Sequence, residues 1–147
     1  ISPYEVYPTA DRSMIIAVGN DVQFARLVEV LGIPGMATDS RYATNSLRVE
    51  NRSELGRLLT ASLAAHGADH WQAELTRVGV PCGPINDIAQ AFSLAETLGL
   101  QPVQTVQGSA QVSNPARLSG TPVSYDLAPP TVGRDRDAVL QLLGLSR

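Results

Sequence analysis

The sequence predicts an α+β fold: a small antiparallel sheet with several helices, then an extended proline-rich strap and a C-terminal helix. Three observations predict it. Two short segments rich in strand formers face each other across a turn between Tyr4 and Val18. Later stretches repeat apolar residues at helical spacing and stop at glycine. Between Asn114 and Gly133, Pro115, Pro122, Pro129 and Pro130 crowd together with Gly120, a composition of extended backbone crossing a surface.

The elements follow in order. Tyr4 to Thr9 and Met14 to Val18 flank Asp11-Arg12-Ser13 and read as a hairpin. Asn20 or Asp21 caps a helix carrying Phe24, Leu27, Val28 and Leu31, which Gly32 ends and Pro34 keeps from resuming. The stretch from Gly35 to Asn45 reads as loop with a turn or two of helix. A second helix is expected from about Leu47 to Ala65, with Leu55, Leu58, Leu59, Ser62 and Leu63 on one face and Ser53 capping its strongest part. Gly67 breaks it. Asp69 caps a third helix that turns Trp71, Leu75 and Val78 inward and stops at Gly79. Two prolines make Val80 to Ile85 an edge strand or a rigid turn. Asn86-Asp87 caps a helix to Leu98, closed by Gly99. Val103 to Val106 and Ala110 to Val112 read as strands around Gly108. A last helix runs from Asp135 to Leu143 and ends at Gly144.

Composition narrows the function. The chain has 147 residues, enough for one domain or a large piece of a bigger protein, with 44% hydrophobic and 17% charged residues. A net charge of −3 provides no basic face for a phosphate backbone, so no nucleic-acid partner is expected. No apolar run spans a bilayer and no polybasic run attracts one, so no membrane partner is expected. The single cysteine, Cys82, suits a reducing cytoplasm. All eleven basic residues are arginine. Without lysine, neither a Schiff base nor a Walker-type phosphate loop can be built. Arginine in place of lysine, with abundant Ala, Gly and Val, points to a GC-rich bacterial genome.

The residues that could carry chemistry each have a structural explanation. His66 and His70 have the spacing of two ligands on one helix, but Gly67 falls between them, and no metal site is expected. Cys82, between Pro81 and Gly83, has no local histidine or cation to activate it and reads as a small buried apolar residue. There is no G-x-S-x-G elbow and no G-x-G-x-x-G after a strand. Asn20-Asp21 after a strand could face a pocket, but serves more often as turn and cap. Arg41, Arg48 and Arg52 form the densest basic cluster, with Arg48 and Arg52 on one helix face. They could hold an anion; pairing with Glu54, Asp39 or carbonyls is the preferred explanation. No complete catalytic set emerges.

Taken together, the segments resemble family III CoA-transferases. The likeness is carried by Pro3-Tyr4 through Thr9-Ala10-Asp11 and by Ile16-Ala17-Val18-Gly19-Asn20-Asp21 with Gln23-Phe24. It continues through Asp39-Ser40-Arg41-Tyr42-Ala43-Thr44-Asn45 with Arg48 to Arg52, and through Gly79-Val80-Pro81-Cys82-Gly83-Pro84-Ile85-Asn86. It ends with Pro115-Ala116-Arg117-Leu118-Ser119-Gly120-Thr121-Pro122 and the terminal Leu143-Gly144-Leu145. The blocks occur in order over essentially the whole chain.

The resemblance implies an acyl-CoA:carboxylate CoA-transferase that works through an aspartyl-CoA thioester. Its nucleophilic Asp lies in a large Rossmann-like domain that matches nothing here, so no catalytic residue is expected within this chain. Residues 1–113 would be the small domain, and residues 114–147 the strap and terminal helix returning to the large domain. Asn20, Asp21, Cys82 and Gly83 are the candidates near the cleft that binds the coenzyme. Coenzyme A would be a thioester substrate, with no permanently bound cofactor. Partners would be an acyl-CoA, a carboxylic acid and the second copy of an interlocked homodimer, in the cytoplasm. Without the nucleophile the piece itself is expected to be inactive, and Ile1-Ser2-Pro3, which offers no initiator Met, favours a truncation. The 2-methylacyl-CoA racemases share the pattern but carry a catalytic Glu in the loop where this chain has Asn20-Asp21-Val22. The racemase and a free-standing, non-catalytic binding module are the alternatives.

Overall fold

The structure, a computed structural model, describes residues 1–145. The chain divides into two compact units, Ile1–Asn86 and Asp87–Arg147.

In the first unit, β1 (Tyr4–Pro8) and β2 (Ser13–Ala17) form the expected hairpin, with Tyr4 opposite Ala17 and Pro8 opposite Ser13. The short β3 (Cys82–Pro84) adds antiparallel to the free edge of β2, so the order is β1-β2-β3. Alternation decides which face is covered: Met14 and Ile16 are fully buried, while Ile15 between them faces outward. Pro84 is tolerated because β3 is an edge strand.

Four helices cover this sheet. In α1 (Asp21–Val30), the side chain of Asn20 accepts from the backbone N–H of Gln23, and Phe24, Leu27 and Val28 turn inward. Pro34 does not merely keep the chain from helix; it starts a 3-10 turn, Pro34–Ala37, where a missing N–H costs nothing. The long helix expected over 47–65 is two helices, α2 (Asn45–Glu50) and α3 (Arg52–Leu63). Asn51 separates them, with φ −100° and ψ 22°. Its side-chain amide donates to the carbonyls of Arg41 and Leu47 and so competes with the helical ladder. Arg48 and Arg52 are therefore on different helices, not on one face. Ser53 lies inside α3 and caps nothing. The buried stripe of α3 is Leu55, Leu59 and Leu63, four apart, while Leu58 is exposed.

The next helix, α4 (Ala68–Arg77), has Gly67 as its N-cap, not Asp69. Its capping oxygen comes from elsewhere: Asp11, in the β1–β2 turn, accepts the Ala68 N–H at 2.8 Å. Asp69 instead pairs with Arg12. Trp71 and Leu75 enter the core, and the indole N–H donates to the carbonyls of Leu63 (2.8 Å) and His66 (3.1 Å), tying α4 to the end of α3. Burying a side chain such as Leu75 stabilises the fold by about 1.5–3 kcal/mol.

The second unit begins with α5 (Ile88–Thr97), closed at its start by a capping box between Asp87 and Gln90. A two-stranded hairpin follows, β4 (Val103–Val106) with β5 (Ser109–Val112). Gln107 and Gly108 connect them with φ of 49° and 80°, the pair of left-handed residues that a tight hairpin turn requires. Between β5 and α6 (Arg136–Leu142) the backbone is extended, with bends and turns but no helix or strand. Among the described residues Val106 is the only buried hydrophobic residue of this unit; α5 and α6 bury none. No described helix is long and apolar enough to cross a membrane.

Candidate functional site

One end of the three-stranded sheet gathers most of the residues singled out above. The chain enters β1 through Ser2 and Pro3, leaves β2 through Val18, Gly19 and Asn20, and enters β3 through Pro81 and Cys82. Backbone bonds hold the three together: Val18 N–H donates to Pro3, and Ala17 N–H to Pro81, both at 2.9 Å.

Arg48 organises the β1 side. It is fully buried, and each arm of its guanidinium has a partner. Nε donates to the Ser2 carbonyl at 2.8 Å, Nη1 to the Tyr42 carbonyl at 3.0 Å and Nη2 to Asp21 Oδ1 at 2.7 Å. The Phe24 ring lies beneath it, 4.4 Å from Cζ to centroid. A buried cation is tolerable only with such complete pairing. Asp21, 56% exposed, is thus held by its inner oxygen and open to solvent on its outer side.

On the other side of β2, α1 is tied to the end of α4. Gln23 accepts the Gly19 N–H at 2.7 Å and donates to the Gly79 carbonyl at 3.2 Å, while Arg26 donates to Val78 at 3.1 Å. Cys82 pairs with Ile16 and Gly83 with Ile15 across β2–β3. The Cys82 sulfur lies 4.0 Å from the Gln72 carbonyl. Burial pushes its thiol up from the ordinary value, opposed in part by a hydrogen bond with Thr76. A protonated, half-buried thiol is a poor nucleophile. The structure therefore brings Asn20, Asp21 and Cys82 to one end of the sheet, but engages each in a separate local bond. Gly83 sits one residue farther along β3.

The arginine cluster is consumed internally. Arg41 bonds Asp39 (2.8 Å) and Glu54 (2.7 Å), Arg52 bonds Glu5, and Arg48 bonds Asp21. Hydrogen bonding by the Arg41 side chain holds the Asp39 carboxyl below its usual range. Each of these arginines is thus paired with a carboxylate of this chain. His66 and His70 do come together, with ring centroids 4.1 Å apart and both packed edge-on to Trp71. Among the described residues, no group of three or more His, Cys, Asp or Glu side chains could hold a metal.

Sequence reasoning missed the two residues that organise this unit most, Arg48 as a buried hub and Asp11 as a cap supplied from a distant turn. The order of the Asp39–Arg52 block was the available signal for the first. Nothing local signals the second.

Comparison with known proteins places this architecture. Residues 1–136 match the description of CoA-transferase family III. The chain is 40% identical over 146 residues to a succinate–glutarate CoA-transferase of Agrobacterium fabrum, covering 95% of this chain and 36% of that protein. It is 33% identical over 120 residues to an acetyl-CoA:oxalate CoA-transferase of Acetobacter aceti, covering 82% and 31%. The crystal structure of a CaiB/BaiF family protein from Brucella suis superposes with a TM-score of 0.87 at 36% identity, covering 97% of this chain and 38% of that one. The chain spans about a third of the length of the curated relatives it matches. With the blocks in order and the fold shared along nearly its whole length, the chain belongs to CoA-transferase family III.

Proposed function

We propose that this chain is the C-terminal part of an acyl-CoA:carboxylate CoA-transferase whose nucleophilic aspartate lies outside residues 1–147. Residues 1–113 would act as the small domain, and residues 114–147 as the strap and terminal helix that pack on the rest of the polypeptide. The observation that carries the reading is the likeness, along nearly the whole chain, to relatives named for moving CoA between acyl thioesters and carboxylic acids.

In this reading the external Asp attacks the acyl-CoA carbonyl and expels the CoA thiolate, leaving a mixed anhydride. The thiolate then attacks the aspartyl carbonyl, releasing the first acid and leaving an aspartyl-CoA thioester. The acceptor carboxylate takes the same route in reverse, and CoA leaves as the new thioester. Coenzyme A is thus a substrate, and no resident cofactor is needed. The enzyme would work in the cytoplasm as a homodimer. Asn20, Asp21, Cys82 and Gly83 would border the cleft without taking part in bond making.

The loop in which the racemases carry a Glu reads Asn20-Asp21-Val22 here, which favours the transferase over the racemase. The test compares this chain with the intact polypeptide, each given succinyl-CoA with glutarate or oxalate and followed by mass spectrometry of the CoA thioesters. New thioesters are expected from the intact protein only. CoA transfer by the 147-residue chain alone would overturn the proposal, as would α-proton exchange of a 2-methylacyl-CoA without CoA transfer by the intact protein.

A further inference from the structure

The three-stranded sheet of the first unit is apolar on both faces. The inner face, with Met14 and Ile16, is covered by helices. The outer face is formed by Tyr4 and Val6 of β1, Ile15 and Ala17 of β2 and Gly83 of β3, as the register requires. Ile85 continues it, through its N–H bond to the Ser13 carbonyl at 2.8 Å. Val6 is 55% exposed and Ile85 47%, and Tyr4 and Ile15 are exposed with them. The charge of the hairpin points the other way: Glu5 stands opposite Ile16, on the inner face, and pairs with Arg52. An antiparallel sheet with one face in water alternates apolar-in with polar-out. Met14 to Val18 is instead an unbroken apolar run, the pattern of a strand covered on both faces.

Gly83 lies on this outer face, directly opposite Ile15. Its φ is outside the left-handed region, so its backbone would accept any residue. A Cβ built on it would meet nothing within 4 Å. Neither conformation nor packing within this chain therefore demands a glycine there. A glycine inside a strand weakens it, and its use is to let another backbone or group approach closely. The open space above Gly83 and the exposed side chains of Val6 and Ile15 are on the same side of the sheet.

The face offers no charge to pair with, so what covers it is apolar. Four exposed apolar side chains make a patch on the order of a few hundred Å². A stable dimer buries about 800 Å² per partner, so the patch is too small to hold a second copy of this chain by itself. It suits a contact between parts of one polypeptide, where the partner surface is always at hand. The chain spans about a third of the length of the curated relatives it matches. We infer that the outer sheet face is a docking surface for an apolar part of the polypeptide outside residues 1–147, whose backbone comes close at Gly83. This inference rests on the reading of the chain as part of a longer CoA-transferase, and adds to the strap a second surface joined to the rest.

The test places Val6→Lys and Gly83→Val, one at a time, in the 147-residue chain and in the intact polypeptide. Each protein is followed by urea unfolding, and the intact ones also by CoA transfer from succinyl-CoA. In the 147-residue chain Val6→Lys should shift the midpoint little, and Gly83→Val should leave it unchanged or raise it, since a branched residue suits a strand better than glycine. In the intact polypeptide both should lower the midpoint. Where Val6→Lys keeps the short chain from folding, Gly83→Val decides. Equal effects in the two lengths would put the cover within residues 1–147 and overturn the inference. A dimer of the short chain that Val6→Lys dissociates, seen by sedimentation, would assign the face to a second copy and also overturn it. So would a raised KM for succinyl-CoA with an unmoved midpoint, which would make the substrate the occupant. Destabilisation of the intact polypeptide alone supports the inference whether or not that polypeptide transfers CoA. An active polypeptide unmoved by both variants overturns it and leaves the transferase reading standing.

Discussion

Gly67 and Asp11 are in contact in a way that leaves no room for a side chain at position 67. A Cβ there would lie 2.8 Å from one carboxylate oxygen of Asp11 and 2.9 Å from its Cγ. The carboxylate occupies that space because it caps α4 through Ala68 and also binds the Thr9 hydroxyl at 2.8 Å. One aspartate thereby closes the β1–β2 turn and starts a helix 57 residues later.

The two residues should therefore behave as one energetic unit. Gly67→Ala is expected to destabilise the wild type by pushing Asp11 off the helix end. In an Asp11→Ala background the same change should cost almost nothing, since the space is then vacant. Urea unfolding of the four chains of this cycle, followed through Trp71, checks the coupling. Additive effects would contradict it.

Acid should weaken the same contact. The Ala68 N–H, then the Thr9 hydroxyl and Arg12, hold the Asp11 carboxyl below its usual value. A depressed carboxyl contributes stability above its unfolded pKa of about 3.9, and that contribution is lost as pH falls through the lower, folded value. Asp11→Asn should remove this part of the pH dependence. The stability difference between wild type and Asp11→Asn, measured by urea unfolding, is expected to shrink only below about pH 4.

Arg48 should be among the most costly residues to remove. Arg48→Ala leaves two buried carbonyls and the inner oxygen of Asp21 without donors, and is expected to destabilise by about 3–5 kcal/mol. Arg48→Met fills the same space and should recover part of the packing. Asp21→Asn, at an exposed carboxylate, should cost only a fraction as much. Urea midpoints for the three variants check the order.

The two units should respond differently to the same truncation. Leu59→Ala, in the core of the first unit, is expected to cost about 2–5 kcal/mol. Leu142→Ala, at a residue 86% exposed on α6, should fall within about 0.5 kcal/mol of wild type. Trp71, the single tryptophan, lies in the first unit and reports its unfolding.

Cys82 should be chemically quiet. Its thiol is pushed up by burial, so thiol-disulfide reagents at neutral pH should modify it more slowly than a free cysteine, with the rate rising toward alkaline pH. Cys82→Ser in the intact protein should retain CoA transfer.

Much of the fold was legible because its signals are local. Asn20 and Asp87 cap the helices that begin beside them, and Gln107-Gly108 turns the hairpin that it joins. What was not legible depends on contacts distant in sequence. The break at Asn51 arises because its amide reaches Arg41 as well as Leu47. Asp69 looks like a cap, but Asp11 already holds the helix end. The arginine block reads in favour of structure over an anion site, and the carboxylates and carbonyls that pair with it bear that reading out. The candidate site was legible only as a location, since Asn20, Asp21 and Cys82 converge on one sheet end without forming a catalytic set.

The central claim is that the covalent step occurs on an aspartate outside these residues. The direct measurement is to incubate the intact polypeptide with succinyl-CoA, trap the enzyme thioester with hydroxylamine, and locate the resulting hydroxamate by peptide mass mapping. The account predicts one modified aspartate, outside residues 1–147. A hydroxamate on Asp21 or any other carboxylate within this chain would contradict it.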